Sequence, residues 1–526
     1  MAANTLGPAL PRPPTPALAE GPLDVDARDA GVRVPLYRTI ADAIIRDIRR
    51  GRHLEGGRLP ASRDLARTLE VNRATVHQAL QLLKREGWIE TNKGGGTRVA
   101  RRSSAGPVVG PAPAWDRIAS SLLARIVAEP RAAETAARID YDLSRVAPDE
   151  REFPAAAFAS LLAEVARDGS LLSYGSPFGY RPLRETLARR LVRRGVPADP
   201  DALLIVNGAQ QGLDLITRAL VDPGDGVAVE IPSYSGALSL FRAHRARLLG
   251  VPLDAEGPGP ESFARALAEK PKFFYTIPDF QNPTGLLASP TRRAAVARQA
   301  VEAGVLCVED AFDADLFVEG ELPPPYAALA PGHVVHLGTI SKALFPGVRV
   351  GWIAAPKEFV HRLAALKRVG ELTSPPVLQA ALNLFLVRGD YDRHLLRMRA
   401  RLKARLALAH RTVLGRFPIG SRCERPSGGY VLWVRLPDGV SGRALAAASR
   451  EKGVLVSAGA EFLADQSDAP AIRISVARGT GAEIGRALEI VGALARGLAR
   501  QASRRTALAA RKGTAREDAE AALIQI

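Results

Sequence analysis

The stretch HVVHLGTISKALFPGVRVGWI (333–353) holds a single lysine, Lys342, just beyond an apolar run, with Thr339, Ser341 and Arg349 close by in the chain. An amine set against a buried strand is costly unless it is paired or used. A desolvated lysine is also the group that condenses with aldehydes. Four other stretches carry complementary chemistry. NGAQQGLDL (207–215) reads as a turn entering a helix, which frees the backbone N–H groups of Ala209 and Gln210 for a phosphate. PSYSG (232–236) offers Tyr234 as a flat ring, PDFQNPTG (278–285) offers the neutral amide of Asn282, and Asp310 follows VLCVE (305–309).

Each residue alone has an ordinary structural use: a packed ring, a turn, a helix cap, a surface ion pair. Together they describe one ligand. Arg349, Ser341, Thr339 and the amides at Ala209 and Gln210 suit a phosphate dianion. Asp310 would pair a protonated pyridine nitrogen, Asn282 would donate to a phenolic oxygen, and Tyr234 would stack on the ring. With Lys342 as the Schiff-base lysine, the implied cofactor is pyridoxal 5′-phosphate (PLP).

The elements that must position these groups are short apolar strands at 202–206, 226–231, 272–277, 305–309 and 333–337, alternating with helical stretches. That alternation predicts a mostly parallel sheet covered on both faces, and such sheets bind ligands at the C-terminal ends of their strands. The expected domain spans 140–498. It ends in a small C-terminal α+β subdomain from about 390, which includes the Gly-punctuated SGGYVLWVRL (427–436). A polar tail is expected over 499–526.

The N-terminal part differs. Residues 1–30 are rich in Pro and Ala and read as a disordered leader, and 103–139 reads as a linker with a short helix over 115–129. Between them, 31–102 carries sixteen Lys and Arg against seven Asp and Glu, a local net charge of +9 within a whole-chain +17. That concentration suits a phosphate-backbone partner. The segment 56–100 has a helix–turn–helix rhythm. Ser62 is expected to cap a helix with Leu65 and Leu69 inward, and Asn72 a second helix burying Val76, Leu80 and Leu83. Arg63, Arg73, Thr75 and His77 are placed to meet double-stranded DNA. WIETNKGGGTRV (88–99) forms a wing with Lys93, Gly95 and Arg98 at or beside its tip.

The chain has two cysteines, Cys307 and Cys423, without paired spacing, so neither a disulfide framework nor a thiolate zinc site is expected. No secretory signal and no apolar run long enough to span a membrane is seen, and a cytoplasmic protein without a metal is expected.

The pattern G-x-L-P-x-S-R-x-L-A, V-x-R-x-T-V, L-x-x-E-G and G-G-G-T-x-V across 57–99 resembles the winged-helix domain of the GntR family. S-K-x-L-x-P-G-x-R-x-G-W (341–352) with N-P-T-G (282–285) resembles fold-type-I aminotransferases, over roughly 140–498. That resemblance implies a winged helix–turn–helix joined to an α/β PLP-dependent transferase of fold type I. It also implies that Arg473 holds an α-carboxylate and that Tyr174 belongs to a segment closing over the cofactor of the neighbouring subunit. The combination resembles the MocR subfamily. It implies a PLP-dependent DNA-binding transcriptional regulator, a domain-swapped homodimer on repeated operator half-sites, whose aminotransferase-like domain senses an amine or amino-acid effector through aldimine exchange at Lys342. The alternative is a working aminotransferase with a secondary DNA-binding domain. Two positions depart from the subfamily. Phe312 stands where members commonly carry a Tyr donor to the phenolic oxygen, and Gly236 stands where GABA-responsive members carry an Arg, so GABA is not the expected effector.

Overall fold

The computed structural model describes residues 35–92, 96–101, 118–128 and 138–524. The chain divides into two compact units, 1–115 and 116–526. The leader, most of the linker and the wing-tip residues Lys93 and Gly95 lie outside the described residues.

The first unit consists of α1 (Leu36–Arg49), α2 (Ser62–Thr68), α3 (Arg73–Arg85) and an antiparallel pair, β1 (Ile89–Asn92) and β2 (Gly96–Val99). Ile40 and Ile44 of α1, Leu59, Ala79 and Leu83 of α3, and Ile89 and Val99 of the wing form its core. Burial at 76, 79 and 83 gives α3 one apolar stripe, with Leu80 at its half-buried edge. Asn72 caps α3, its side-chain oxygen accepting from the Ala74 N–H at 2.9 Å. Ser62 does not cap α2. The helix starts on Ser62 itself, Ala61 takes the cap position, and no side chain closes that end.

In the second unit an eight-stranded sheet runs in the order β4-β11-β10-β9-β8-β5-β6-β7. Its strands are β4 (Leu203–Val206), β5 (Gly226–Ile231), β6 (Arg247–Asp254), β7 (Gly257–Pro258), β8 (Phe273–Thr276), β9 (Leu306–Asp310), β10 (Val334–Thr339) and β11 (Gly351–Ala354). From β10 through β6 all neighbours are parallel; β11 is antiparallel to both β10 and β4. The five strands expected from sequence are present. β6 and β11 were not expected: a glycine and a proline interrupt β6, and β11 is hidden inside the motif around Arg349. Alternate residues of each strand serve opposite cores, Leu204 and Val206 on one face and Leu203 and Ile205 on the other. Period-two side-chain alternation in a sheet covered on both sides produces this division.

A smaller antiparallel sheet joins β12 (Val431–Arg435), β14 (Ser457–Ala458) and β15 (Ala471–Ser475), with Arg473 paired between Trp433 and Ser457. β3 (Tyr141–Asp142) pairs with β13 (Val454–Leu455). The linker helix covers Ser121–Ala128, shorter than the 115–129 expected. The stretch from 499 continues the helix Gly481–Ile524, whose Ala, Leu and Arg content favours that conformation. Among the described residues no helix is long and apolar enough to cross a membrane.

Candidate cofactor site and DNA-reading surface

The turn leaving β4 leads into α4 (Ala209–Leu220), with Gly208 at its N-cap at φ +83°. A Cβ on Gly208 would stand 3.0–3.2 Å from the Arg349 guanidinium, so only glycine lets the arginine lie across the helix start. Arg349 donates to the Asn207 carbonyl oxygen. The Thr339 hydroxyl donates to the Val350 carbonyl oxygen at 3.0 Å, accepts from the Ser341 N–H at 3.2 Å and lies 3.2 Å from the Ser341 hydroxyl. Two amides, two hydroxyls and one guanidinium therefore surround the end of β10 and the start of α4.

Every residue assigned from sequence to the cofactor or to a carboxylate, except Tyr174, lines one cavity of about 350 Å³. Ala209, Gln210, Thr339, Ser341 and Arg349 form its phosphate-sized end, and Tyr234, Asn282, Asp310, Lys342 and Arg473 surround the rest. Tyr174 is 78% exposed and does not reach the cavity of its own chain.

Asp310 is fully buried and accepts from the Tyr275 hydroxyl through Oδ2 at 2.8 Å, while Oδ1 has no hydrogen-bond partner among the described residues. Burial pushes its carboxyl up to about 6, against the pull of the Tyr275 hydroxyl and the Lys342 charge. Lys342 donates to the Val146 carbonyl oxygen at 2.6 Å. Burial lowers its pKa, which favours the free amine, although neighbouring carboxylates oppose the shift.

Arg473 is buried, and burial brings its pKa down to about 10. It donates to Asn282 Oδ1 at 2.9 Å and to the Ser457 hydroxyl at 3.1 Å, and its carbon lies 4.7 Å from the centre of the Phe462 ring. Its Nε–H is buried without a partner among the described residues. Because Arg473 occupies the Asn282 oxygen, the Asn282 amide nitrogen is left to donate. Glu230 orients the loop that carries Asn282, accepting from the Thr276 hydroxyl at 2.6 Å and from Gln281 at 3.1 Å.

The Tyr234 hydroxyl donates to Gln210 Oε1 at 3.2 Å. Its ring lies so close to Gly236 that a Cβ there would fall 2.5 Å from the hydroxyl oxygen. Phe312 is buried and lines the cavity with no hydroxyl to donate.

These groups fit PLP. The orphaned, buried Oδ1 of Asp310 lacks the cation that a pyridinium nitrogen would bring. The glycine-opened cradle at Gly208 suits a phosphate, and the desolvated amine of Lys342 lines the same cavity. Sequence reasoning missed Tyr275, Val146 and Ser457. Tyr275 reads as one more apolar strand residue, and the other two carry no local signal.

On the winged unit, Arg63, Arg73 and His77 are exposed, and Thr75 and Ser62 are half-buried. His77 lies 3.4 Å from the Gln81 amide. The Asn72 side chain is engaged as the α3 cap. Arg98 donates to the Gly56 carbonyl oxygen at 2.9 Å, tying the base of the wing to the preceding turn.

Comparison with known proteins matches residues 36–99 to the family described as bacterial regulatory proteins, gntR family, and 143–491 to aminotransferase class I and II. The uncharacterized HTH-type transcriptional regulator YdfD of Bacillus subtilis is 31% identical over 455 residues, covering 85% of this chain and 93% of the relative. The "Probable rhizopine catabolism regulatory protein MocR" of Rhizobium meliloti is 31% identical over 386 residues, covering 70% of this chain and 76% of the relative. Among solved structures, LysN, the α-aminoadipate aminotransferase of Thermus thermophilus, aligns with a TM-score of 0.68 at 29% identity, covering 74% of this chain and 99% of that one. A GntR-type reader on one unit and an aminotransferase fold on the other define a DNA-binding transcriptional regulator with a PLP-dependent domain. The chain belongs to the aminotransferase class I and II family over its large unit, and as a whole to the MocR subfamily of GntR-type regulators.

Proposed function

We propose that the large unit is a receptor in which an amino acid, or an amine bearing a carboxylate, displaces Lys342 from the cofactor and thereby changes how the winged unit holds its operator. The convergence of Lys342, Asp310, Asn282, Arg349 and Arg473 on one cavity carries this reading. A unit serving only for dimerisation would have no need to bury so many unlike charges.

When bound, PLP supplies an aldehyde carbon that forms an imine with an amine and can pass from one amine to another. The chain does the rest. Arg349, Thr339, Ser341 and the α4 amides would hold the phosphate, and Asp310 would keep the ring nitrogen protonated. Asn282 would donate to the phenolic oxygen, and Tyr234 would cover the ring. Arg473 would take the effector carboxylate in the cavity that Lys342 also lines.

Arg63, Arg73, Thr75 and His77 contact DNA, together with Ser62, Asn72, Lys93, Gly95 and Arg98. Tyr174, exposed on its own chain, completes the site of a second copy in a domain-swapped homodimer that reads repeated half-sites in the cytoplasm. In this proposal the winged domain spans 31–102, the linker 103–139 and the receptor domain 140–498.

Fluorescence anisotropy on operator DNA, selected from a genomic fragment library, tests the reading against a panel of α-amino acids and amines. At least one should change DNA affinity, by roughly 5- to 150-fold, and only with PLP bound and Lys342 present. DNA affinity indifferent to every amine that alters the cofactor's absorbance would contradict the receptor role.

A further inference from the structure

Asn207 is the turn residue just before Gly208, and its backbone is held on both sides. Its carbonyl oxygen accepts from Arg349. Its N–H donates at 2.7 Å to the side-chain oxygen of Gln211, in the first turn of α4. A Gln or Glu at the third position of a helix can reach back to the backbone N–H at its start, as in a capping box. Here the bond falls one residue further back, on the residue that Arg349 also holds. β11 presses on the same turn: a Cβ on Gly351 would stand 2.8 Å from the Gly208 carbonyl carbon and 3.0 Å from the Ala209 nitrogen. Gln211 itself does not line the cofactor cavity.

The Gln211 amide is aimed by a carboxylate. The Asn207 N–H can only donate, so the amide oxygen must face it and the amide nitrogen must face away. That nitrogen donates to Glu371 Oε2. Glu371 caps the end of the helix Lys357–Gly370 and also accepts from the Ser374 hydroxyl at 2.8 Å. A flipped amide would set oxygen against carboxylate and N–H against N–H, so both neighbours enforce one orientation.

An anion behind a phosphate subsite works against the phosphate unless a cation offsets it. Lys367 supplies that cation. It is 1% exposed, its amine lies 4.0 Å from Glu371 Oε1, and it donates to the Pro177 carbonyl oxygen at 3.3 Å. A lysine so buried is expensive without an anion beside it, so the pair stands or falls together.

Resting on the reading of Arg349, Thr339, Ser341 and the α4 amides as the phosphate subsite, we infer that Gln211, aimed by Glu371, is a positioning residue for that subsite. It fixes the backbone at Asn207 and so presets the turn, with its amides and arginine, before the phosphate arrives. A plain helix cap would stabilise the unit without favouring one ligand over another, and the test reads that difference.

The test compares PLP with pyridoxal, which carries the same aldehyde, ring nitrogen and phenol without the phosphate. Equilibrium titration of cofactor-free full-length protein, followed at the near-visible band, gives the affinity for each. Gln211→Leu keeps the bulk and removes both hydrogen bonds; Gln211→Ala removes the bulk as well. Both should lower the ratio of PLP to pyridoxal affinity by roughly 2- to 12-fold, the loss that one hydrogen bond brings. Glu371→Gln should lower it in the same direction, because a neutral amide at that position no longer enforces one orientation. The Gln211 variants keep the Lys367–Glu371 pair, so the result does not hang on whether Glu371→Gln folds.

An unchanged ratio in Gln211→Leu or in folded Glu371→Gln, or an equal fall for both ligands, overturns the inference. Wild type that prefers neither ligand would instead defeat the phosphate subsite. Wild type with no band for either would defeat the reading of Lys342, so the failures stay distinct.

Discussion

Tyr275 and Asp310 share one hydrogen bond and leave one oxygen over: the phenol donates to Oδ2 at 2.8 Å, while Oδ1 stays buried without a hydrogen-bond partner among the described residues. The phenol fixes the carboxylate's plane, and the free oxygen is the one a cationic ring nitrogen would claim. Asp310→Asn keeps the shape and removes the charge. A hydrogen bond to a charged group contributes about 1.5–3 kcal/mol, so PLP affinity should fall roughly 10- to 150-fold. Equilibrium absorbance titration measures it, and an unchanged affinity would refute the pairing.

The cofactor-free protein should become more stable as pH falls from 8 towards 5. Burial pushes Asp310 up to about 6, Glu230 up to about 7 and Asp313 up to about 8. Each binds a proton more tightly folded than unfolded. The folded state thus holds more protons across this window, and stability is lost as pH rises through these values. Melting curves of the large unit's transition at pH 5.5 and 8 check the sign; a higher midpoint at pH 8 would contradict it.

Gly236 sets how Tyr234 lies. A methyl group there would collide with the tyrosine hydroxyl at 2.5 Å, so Gly236→Ala should swing the ring and break its bond to Gln210. Weaker PLP binding and an altered band position are expected, with DNA affinity of the cofactor-free protein unaffected. A spectrum identical to wild type would show that the ring's resting position is immaterial.

Arg473 donates to the Asn282 oxygen, the Ser144 carbonyl oxygen and the Ser457 hydroxyl, and we propose that it also takes the effector carboxylate. Arg473→Ala should abolish the response to carboxylate-bearing effectors while PLP stays bound. Freeing the Asn282 oxygen should also shift the band, because the amide can then flip. An effector response equal to wild type would remove Arg473 from the carboxylate site.

On the winged unit, Asn72→Ala removes the α3 cap and should cost about 1 kcal/mol of that unit's stability. Arg73→Ala and Arg63→Ala should leave stability alone and weaken DNA binding. For a phosphate contact the salt dependence should flatten by about one unit of slope; for a base contact the loss should be about 1–3 kcal/mol at one base pair. Chemical denaturation and anisotropy at several salt concentrations separate these effects, and both arginine variants binding like wild type would refute the surface.

The site was legible in the sequence because its residues follow strands, and short apolar runs ending in Asp310, Thr339 or Asn207 announce themselves. What escaped notice depends on tertiary placement. Tyr275 differs from its strand neighbours only in pointing at Asp310. Val146 reaches the Lys342 amine, and Ser457 the Arg473 guanidinium, from segments distant in the chain. Asp313 reads as a turn residue until its side chain is seen facing inward. Ser62 failed as a cap because the helix begins one residue earlier than its hydroxyl suggests, a boundary decided by backbone geometry rather than residue type.

We propose above all that Lys342 holds the cofactor and releases it to an effector amine. Absorbance of the full-length protein with PLP, scanned before and after adding each α-amino acid of a panel, tests it most directly alongside Lys342→Ala. Wild type should show a near-visible band that at least one amino acid shifts and that borohydride fixes to the chain, while Lys342→Ala shows neither band nor adduct. A borohydride-fixed adduct persisting in Lys342→Ala, or no band in PLP-loaded wild type, would contradict the account.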